Sequence, residues 1–249
     1  MTKKNRFDNL TFDDFRALAT ESGLSRHEKV GFPDSYREGK EEAIFADVSS
    51  KLKALQGAKK TILEIGPGCS RLPIMLAEFC ERSGHRLIFV DSAEMLSHLP
   101  EASFIEKVAG RYPDIPEFAD RYANHIDAII AYSVIQYVFA EGNLWKFLDQ
   151  ALLLLADGGE ILLGDVPNCT MRKRFFSSDA GQRSHKDVTG SNGQPSVHFN
   201  TSEPDNIDDS VVLGLLARAR AQGFHAWVVP QAQGLPMANR REDILIRKP

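Results

Sequence analysis

The stretch Thr61-Ile-Leu-Glu-Ile-Gly-Pro-Gly-Cys-Ser-Arg71 decides how this chain of 249 residues is read. Thr61 to Ile65 is a short, β-branched apolar run, the pattern of a buried strand. Gly66, Pro67 and Gly68 break it, and an apolar-periodic run from Leu72 to Cys80 follows. Ser70 is placed to cap that second run, with Pro73 in its first turn, where a missing N–H costs nothing. The order is strand, glycine turn, helix. In an open α/β sheet such a turn lies at the carboxyl end of a strand beside a helix N-terminus, where ligands bind.

Two ligand-binding patterns compete for this turn. A dinucleotide fingerprint G-x-G-x-x-G needs a third glycine for close helix–strand packing, and that position is Arg71. The other pattern is an acid at the strand end followed by G-x-G-x-G, here Glu64, Gly66 and Gly68, with the small residue Ser70 in the third place. A turn whose glycines serve only backbone geometry is the plain alternative. Downstream, Arg86-Leu-Ile-Phe-Val-Asp91 is a second apolar strand ending in an acid, 23 residues beyond Gly68. A carboxylate near that offset is placed to accept hydrogen bonds from ribose hydroxyls. Asp91 could instead cap the helix from Ala93 to Leu99, a duty that Ser92 could also fill.

Two acid-tipped strands around a glycine turn resemble class I S-adenosylmethionine-dependent methyltransferases. The resemblance implies an α/β fold, a Rossmann-like doubly wound sheet of about seven strands with a C-terminal antiparallel hairpin and a helical N-terminal segment. It implies one methyltransferase domain over 1–249, with a helical cap at 1–57, a core at 58–249 and a long insert at about 170–206. Its cofactor is S-adenosylmethionine, held by Glu64, Gly66, Pro67, Gly68, Ser70, Asp91 and Ser92. The family commonly carries an acid after the third strand, facing adenine; this chain has Ala109 and Gly110 there. Tyr132, Ser133 and Tyr137 fall in the fourth motif, beside the methyl group, where aromatic faces attract a sulfonium. Tyr36 and Arg37 of the N-terminal segment would meet cofactor or substrate.

The remaining chain supplies the elements this plan needs. Thr11 followed by Asp13 and Asp14 reads as a helix start, and Ala43, Ile44, Val48, Leu52 and Leu55 recur at helical spacing. Ile126 to Val138 reads as one strand, Leu144 to Leu155 as a helix ended by Asp157-Gly-Gly, and Glu160 to Asp165 as the next strand. Residues 170–206 are rich in Ser, Gly and Asn and carry the basic groups Arg172, Lys173, Arg174, Arg183 and Lys186. A segment of that length is either functional or disordered. Asp208 to Gln222 is helical, and Phe224 to Val229 with Asp243 to Arg247 form the closing hairpin.

Composition bounds the chemistry. With 43% hydrophobic and 26% charged residues and a net charge of -4, the chain is an ordinary globular protein whose surface as a whole is not built to grip nucleic acid. It has no signal-like apolar stretch and no run of membrane-spanning length, so the cytoplasm is expected. Three cysteines without a C-x-x-C pair argue against a metal site. The expected reaction is methyl transfer to the O or N nucleophile of a small-molecule acceptor. The basic insert suggests an anionic acceptor, and Gly31 to Glu42 resembles methyltransferases found beside carbohydrate-biosynthesis enzymes. His198, His185 and Asp165 are the candidate bases. An NAD(P)-dependent oxidoreductase and a non-catalytic cofactor-binding protein are the rival readings.

Overall fold

The computed structural model describes residues 7, 10–33, 38–190, 193–201 and 203–249. Its strands are β1 (Thr61–Ile65), β2 (Arg86–Asp91), β3 (Ile105–Ala109), β4 (Ile126–Tyr132), β5 (Leu155–Pro167), β6 (His225–Val229) and β7 (Arg241–Arg247). They form one sheet in the order β3-β2-β1-β4-β5-β7-β6. Strands β1 to β5 run parallel, and β7 is antiparallel to both β5 and β6. The closing hairpin read from the sequence is present, with its second strand inserted against β5.

Parallel strands covered on both faces need apolar residues at successive positions. Leu87, Ile88, Phe89 and Val90 satisfy this in β2, all at 1% exposure or less. Successive side chains then enter opposite cores. Ile62, Leu87 and Phe89 pack with helices α3 (Glu41–Lys51) and α4 (Arg71–Ser83), whereas Leu63, Ile88 and Val90 pack with α8 (Leu144–Leu154) and α11 (Asp209–Ala221). The N-terminal segment opens with α1 (Phe12–Thr20), whose start is the expected cap: Thr11 and Asp14 bond each other's backbone N–H. A short α2 (Arg26–Lys29) follows.

Two expectations need correction. Ile126 to Val138 is not one strand. β4 stops at Tyr132, Ser133 turns the chain with φ 59°, and helix α7 (Ile135–Glu141) begins. An apolar run buried on all sides has no period to distinguish strand from helix. The insert is also more ordered than its composition suggested, forming α9 (Cys169–Phe176) and α10 (Asp179–Thr189), capped by the side chains of Asn168 and Ser178. Two further α-helices among the described residues are α5 (Ala93–Leu96) and α6 (Phe118–Tyr122).

A buried polar network fastens the hairpin to the rest. Asp243 in β7 is fully buried. It accepts the Asp165 N–H at 2.8 Å, the Gln231 amide at 3.0 Å and Lys51 Nζ of α3 at 2.7 Å. Removing one partner of a buried ion pair strands the other, at about 3–5 kcal/mol. In Asp243→Ala, Lys51 keeps Asp47 as a partner at 2.5 Å while the Asp165 amide loses its acceptor, so the variant should be less stable by about 1–3 kcal/mol in urea unfolding.

Candidate active site

The carboxyl ends of β1, β2 and β4 open into a cavity of about 250 Å³. Its floor is the glycine turn. Gly66 and Gly68 have φ of 67° and 62°, left-handed values that favour glycine. Space forbids a side chain as well: a Cβ on Gly68 would lie 2.5 Å from Val30 Cγ1, and one on Gly66 2.7 Å from Val134 Cγ2. Backbone N–H groups of the turn can thus be approached closely.

Asp91, at the tip of β2, holds this turn in place. One carboxylate oxygen accepts the Gly68 N–H at 3.0 Å, the other the Ser92 N–H at 2.7 Å. Ser92 does not line the cavity; its hydroxyl caps α5 by accepting the Met95 N–H at 3.2 Å. The capping duty falls to Ser92, and Asp91 is left on the cavity wall.

Glu64 lies beneath the same turn. Its register partner across the sheet is Phe89, so Glu64 and Asp91 share one face of adjacent strands. Glu64 is 3% exposed and its Oε2 has no hydrogen-bond partner. Burial, reinforced by the negative charge of Asp91, pushes its carboxyl up to about 8. Burial also raises Asp91, to about 6, against the pull of its two backbone donors.

The roof comes from the N-terminal segment: Phe12 and Phe15 of α1, with Val30 and Phe32. Phe15 packs edge-on against Tyr137, ring centroids 4.8 Å apart. Arg16 of α1 binds Glu94 of α5 at 2.7 Å, and the Phe12 N–H donates to Glu141 at 3.1 Å. The far wall holds Met95, Gly110, Arg111, Tyr132 and Ser133. Arg111 pairs with Glu141 at 3.5 Å. The Ser133 hydroxyl donates to Asp165, whose same oxygen takes Arg241 at 2.6 Å.

Of the residues singled out in the sequence, Gly66, Pro67, Gly68, Ser70, Asp91, Gly110, Tyr132, Ser133 and Tyr137 line this cavity. Glu64 sits under it, and Asp165 behind Ser133. Ala109 is exposed at the end of β3. His185 lies on α10 against Phe176, and His198 shares a separate cleft with Arg172 and Lys173, so neither histidine reaches the cavity. Tyr36 and Arg37 fall outside the described residues. The basic insert does not supply free cations at the cavity as the sequence suggested: Arg172 and Lys173 pair with Glu203 at 3.4 and 2.8 Å, and Arg174 with Asp209 at 3.2 Å. Sequence reading missed the roof residues, which carry no motif. It could have found Met95, one helical turn beyond an acid-tipped strand.

The two buried acids set a pH dependence. Each has a folded value raised above its unfolded one, so the unfolded chain sheds these protons first as pH rises. Stability should fall from about pH 4.5 to about 8 for Glu64, and from about 3.8 to about 6 for Asp91. Glu64→Gln removes the longer limb. In urea unfolding across pH, the variant should gain on the wild-type protein steadily up to about pH 8.

No family model matches this sequence, and no curated protein matches it. Solved structures do. The plantazolicin methyltransferase BpumL, in complex with a triazolic desmethylPZN analog and SAH, is 15% identical with a TM-score of 0.58, over 95% of this chain and 96% of that one. N-methyltransferase NodS from Bradyrhizobium japonicum WM9 is 18% identical with a TM-score of 0.54, over 86% and 99%. The CurJ carbon methyltransferase is 16% identical with a TM-score of 0.53, over 94% of this chain and 63% of that one. A seven-stranded sheet with an antiparallel hairpin at one edge and these neighbours lead to one conclusion: the chain has the class I methyltransferase fold.

Proposed function

We propose that the protein transfers a methyl group from S-adenosylmethionine to a small-molecule acceptor. The observation that carries this reading is the Asp91 carboxylate, at the tip of the second strand, on the cavity wall and bonded to the N–H of Gly68. Both features fit the cofactor: a carboxylate for the ribose hydroxyls, and a turn too tight for any side chain, open to the methionine part. The rival oxidoreductase reading fits the sheet less well. The dinucleotide-binding plan orders its strands 3-2-1-4-5-6, whereas here β7 is inserted antiparallel between β5 and β6.

S-adenosylmethionine supplies an already activated methyl group, so the chain's task is mostly positioning and exclusion of water. In this reading Asp91 orients the ribose and the glycine turn leaves room for the methionine part. Met95 and the wall near Gly110 flank the base, and Tyr132 and Tyr137 face the sulfonium. The aromatic roof from α1 keeps water out. Asp165 is the candidate base that comes nearest the cavity, through Ser133, whose hydroxyl donates to it. With Arg241 on the same oxygen, Asp165 is held in place to orient Ser133. The solved neighbours are named as carbon and nitrogen methyltransferases among others, and the acceptor atom stays open. Arg172, Lys173 and Arg174 are ion-paired, and none of the five basic residues of the insert lines the cavity, so the insert gives no support to an anionic acceptor.

Calorimetry and thermal shift with S-adenosylmethionine, S-adenosylhomocysteine, NAD and NADP test this reading. The first two should bind and stabilise the protein; binding of only the nicotinamide cofactors overturns it. Asp91→Ala removes a charged acceptor worth about 1.5–3 kcal/mol. Cofactor affinity should drop at least about tenfold. Gly68→Val should abolish binding, because the added carbon collides with Val30 and must adopt a left-handed φ.

A further inference from the structure

Glu64 is the one buried acid at the site that the proposed chemistry does not yet use. Its geometry is unusual. The carboxyl is almost fully enclosed, one oxygen lacks any hydrogen-bond partner, and the neighbouring strand presents a second buried acid, Asp91, on the same face. A lone acid in such a place is costly when ionised unless a cation compensates it. The chain provides none in contact with it among the described residues. From α4 it meets the Cys80 thiol, itself raised to about 12 by burial and by Glu64. From α5, Glu94 acts on Asp91 and is bound to Arg16. Lys29 and Arg26 of α2 lie near Cys69, on the far side of the glycine turn, and Lys29 donates to the Ala19 carbonyl at 2.8 Å.

Building on the cofactor reading above, we infer that Glu64 reads the charge of the ligand: it carries a proton in the free protein, releases it to solvent when a positively charged cofactor binds in the cavity above the glycine turn, and thereby makes the site favour the sulfonium cofactor over its neutral thioether product. S-adenosylmethionine carries a sulfonium and an ammonium against one carboxylate, a net positive charge. S-adenosylhomocysteine lacks the sulfonium charge and is net neutral. A positive charge nearby favours ionised Glu64, and by linkage the ionised Glu64 favours that ligand equally. The proton leaves as the cofactor arrives and returns from solvent once methyl transfer removes the sulfonium charge, so charge in the buried site stays balanced through turnover. The raised acidity range of Glu64, about 8 in the free protein, puts the exchange near neutral pH.

Titration calorimetry of the full chain tests this without any acceptor. Binding of S-adenosylmethionine and of S-adenosylhomocysteine is measured near neutral pH in phosphate and in Tris, whose ionisation enthalpies differ, so the protons exchanged can be counted. S-adenosylmethionine should release close to one proton, and S-adenosylhomocysteine fewer. Affinity for the former should rise by up to about tenfold per pH unit below about pH 8 and level off above it. Glu64→Gln, which keeps the shape of the protonated acid, should bind with no release, a flat pH profile and a reduced preference for the sulfonium. Asp91→Asn should bind more weakly yet still release the proton. Binding to the wild-type protein without proton exchange overturns the inference, as does release that persists in Glu64→Gln or vanishes in Asp91→Asn. Should Glu64→Gln not fold, the wild-type pH series and Asp91→Asn decide between the same outcomes. Failure of both ligands to bind the wild-type protein is a separate result, which removes the cofactor reading itself.

Discussion

The cavity depends on one hydrogen bond, from the Gly68 N–H to the Asp91 carboxylate. It fixes the turn after β1 to the tip of β2 beyond the last backbone bond between them, which runs from the Gly66 N–H to the Val90 carbonyl at 2.8 Å. The turn it secures is left-handed at both glycines, a conformation that a loose loop would not keep. Val30 can then close over Gly68, and the roof helix is brought down onto the cavity. A charged acceptor makes this bond stronger than an ordinary backbone contact. The same carboxylate is thus structural support and cavity wall at once.

The opposite wall is held differently. Ser133 and Asp165, at the ends of β4 and β5, both have left-handed backbones, which cost energy for side chains other than glycine. They are kept there by a run of buried polar contacts from Ser133 through Asp165 to Arg241, and through Asp243 to Lys51. The cavity therefore has one side fixed by a loop bond and another fixed by strain held in a buried network.

The sequence made the first wall legible and the second obscure, for physical reasons. Gly66, Gly68 and Asp91 are local signals: strand, break and acid lie close together, and their spacing carries the chemistry. Ser133 and Asp165 are separated in sequence and meet only because β4 and β5 pair. Their left-handed conformations leave no trace in residue type, so Ile126 to Val138 looked like one strand. The roof residues Phe12, Phe15 and Val30 look like any amphipathic face until the chain folds back over the glycine turn. The pairing of Arg172, Lys173 and Arg174 with Glu203 and Asp209 was equally hidden, because the partners lie about 30 to 35 residues away in sequence. Local order could be read; long-range pairing could not.

The placement of β7 between β5 and β6 has a consequence for how the molecule is made. On the ribosome, β6 emerges before β7, the strand that joins it to the sheet. Until residues 241–247 are free, β5, the long strand beside the cavity, has an open edge of backbone donors and acceptors. Such an edge is a template for pairing with another chain. The nascent protein thus passes through a stage in which the strand beside its cavity is unprotected, and the closing segment acts as its own late-arriving chaperone.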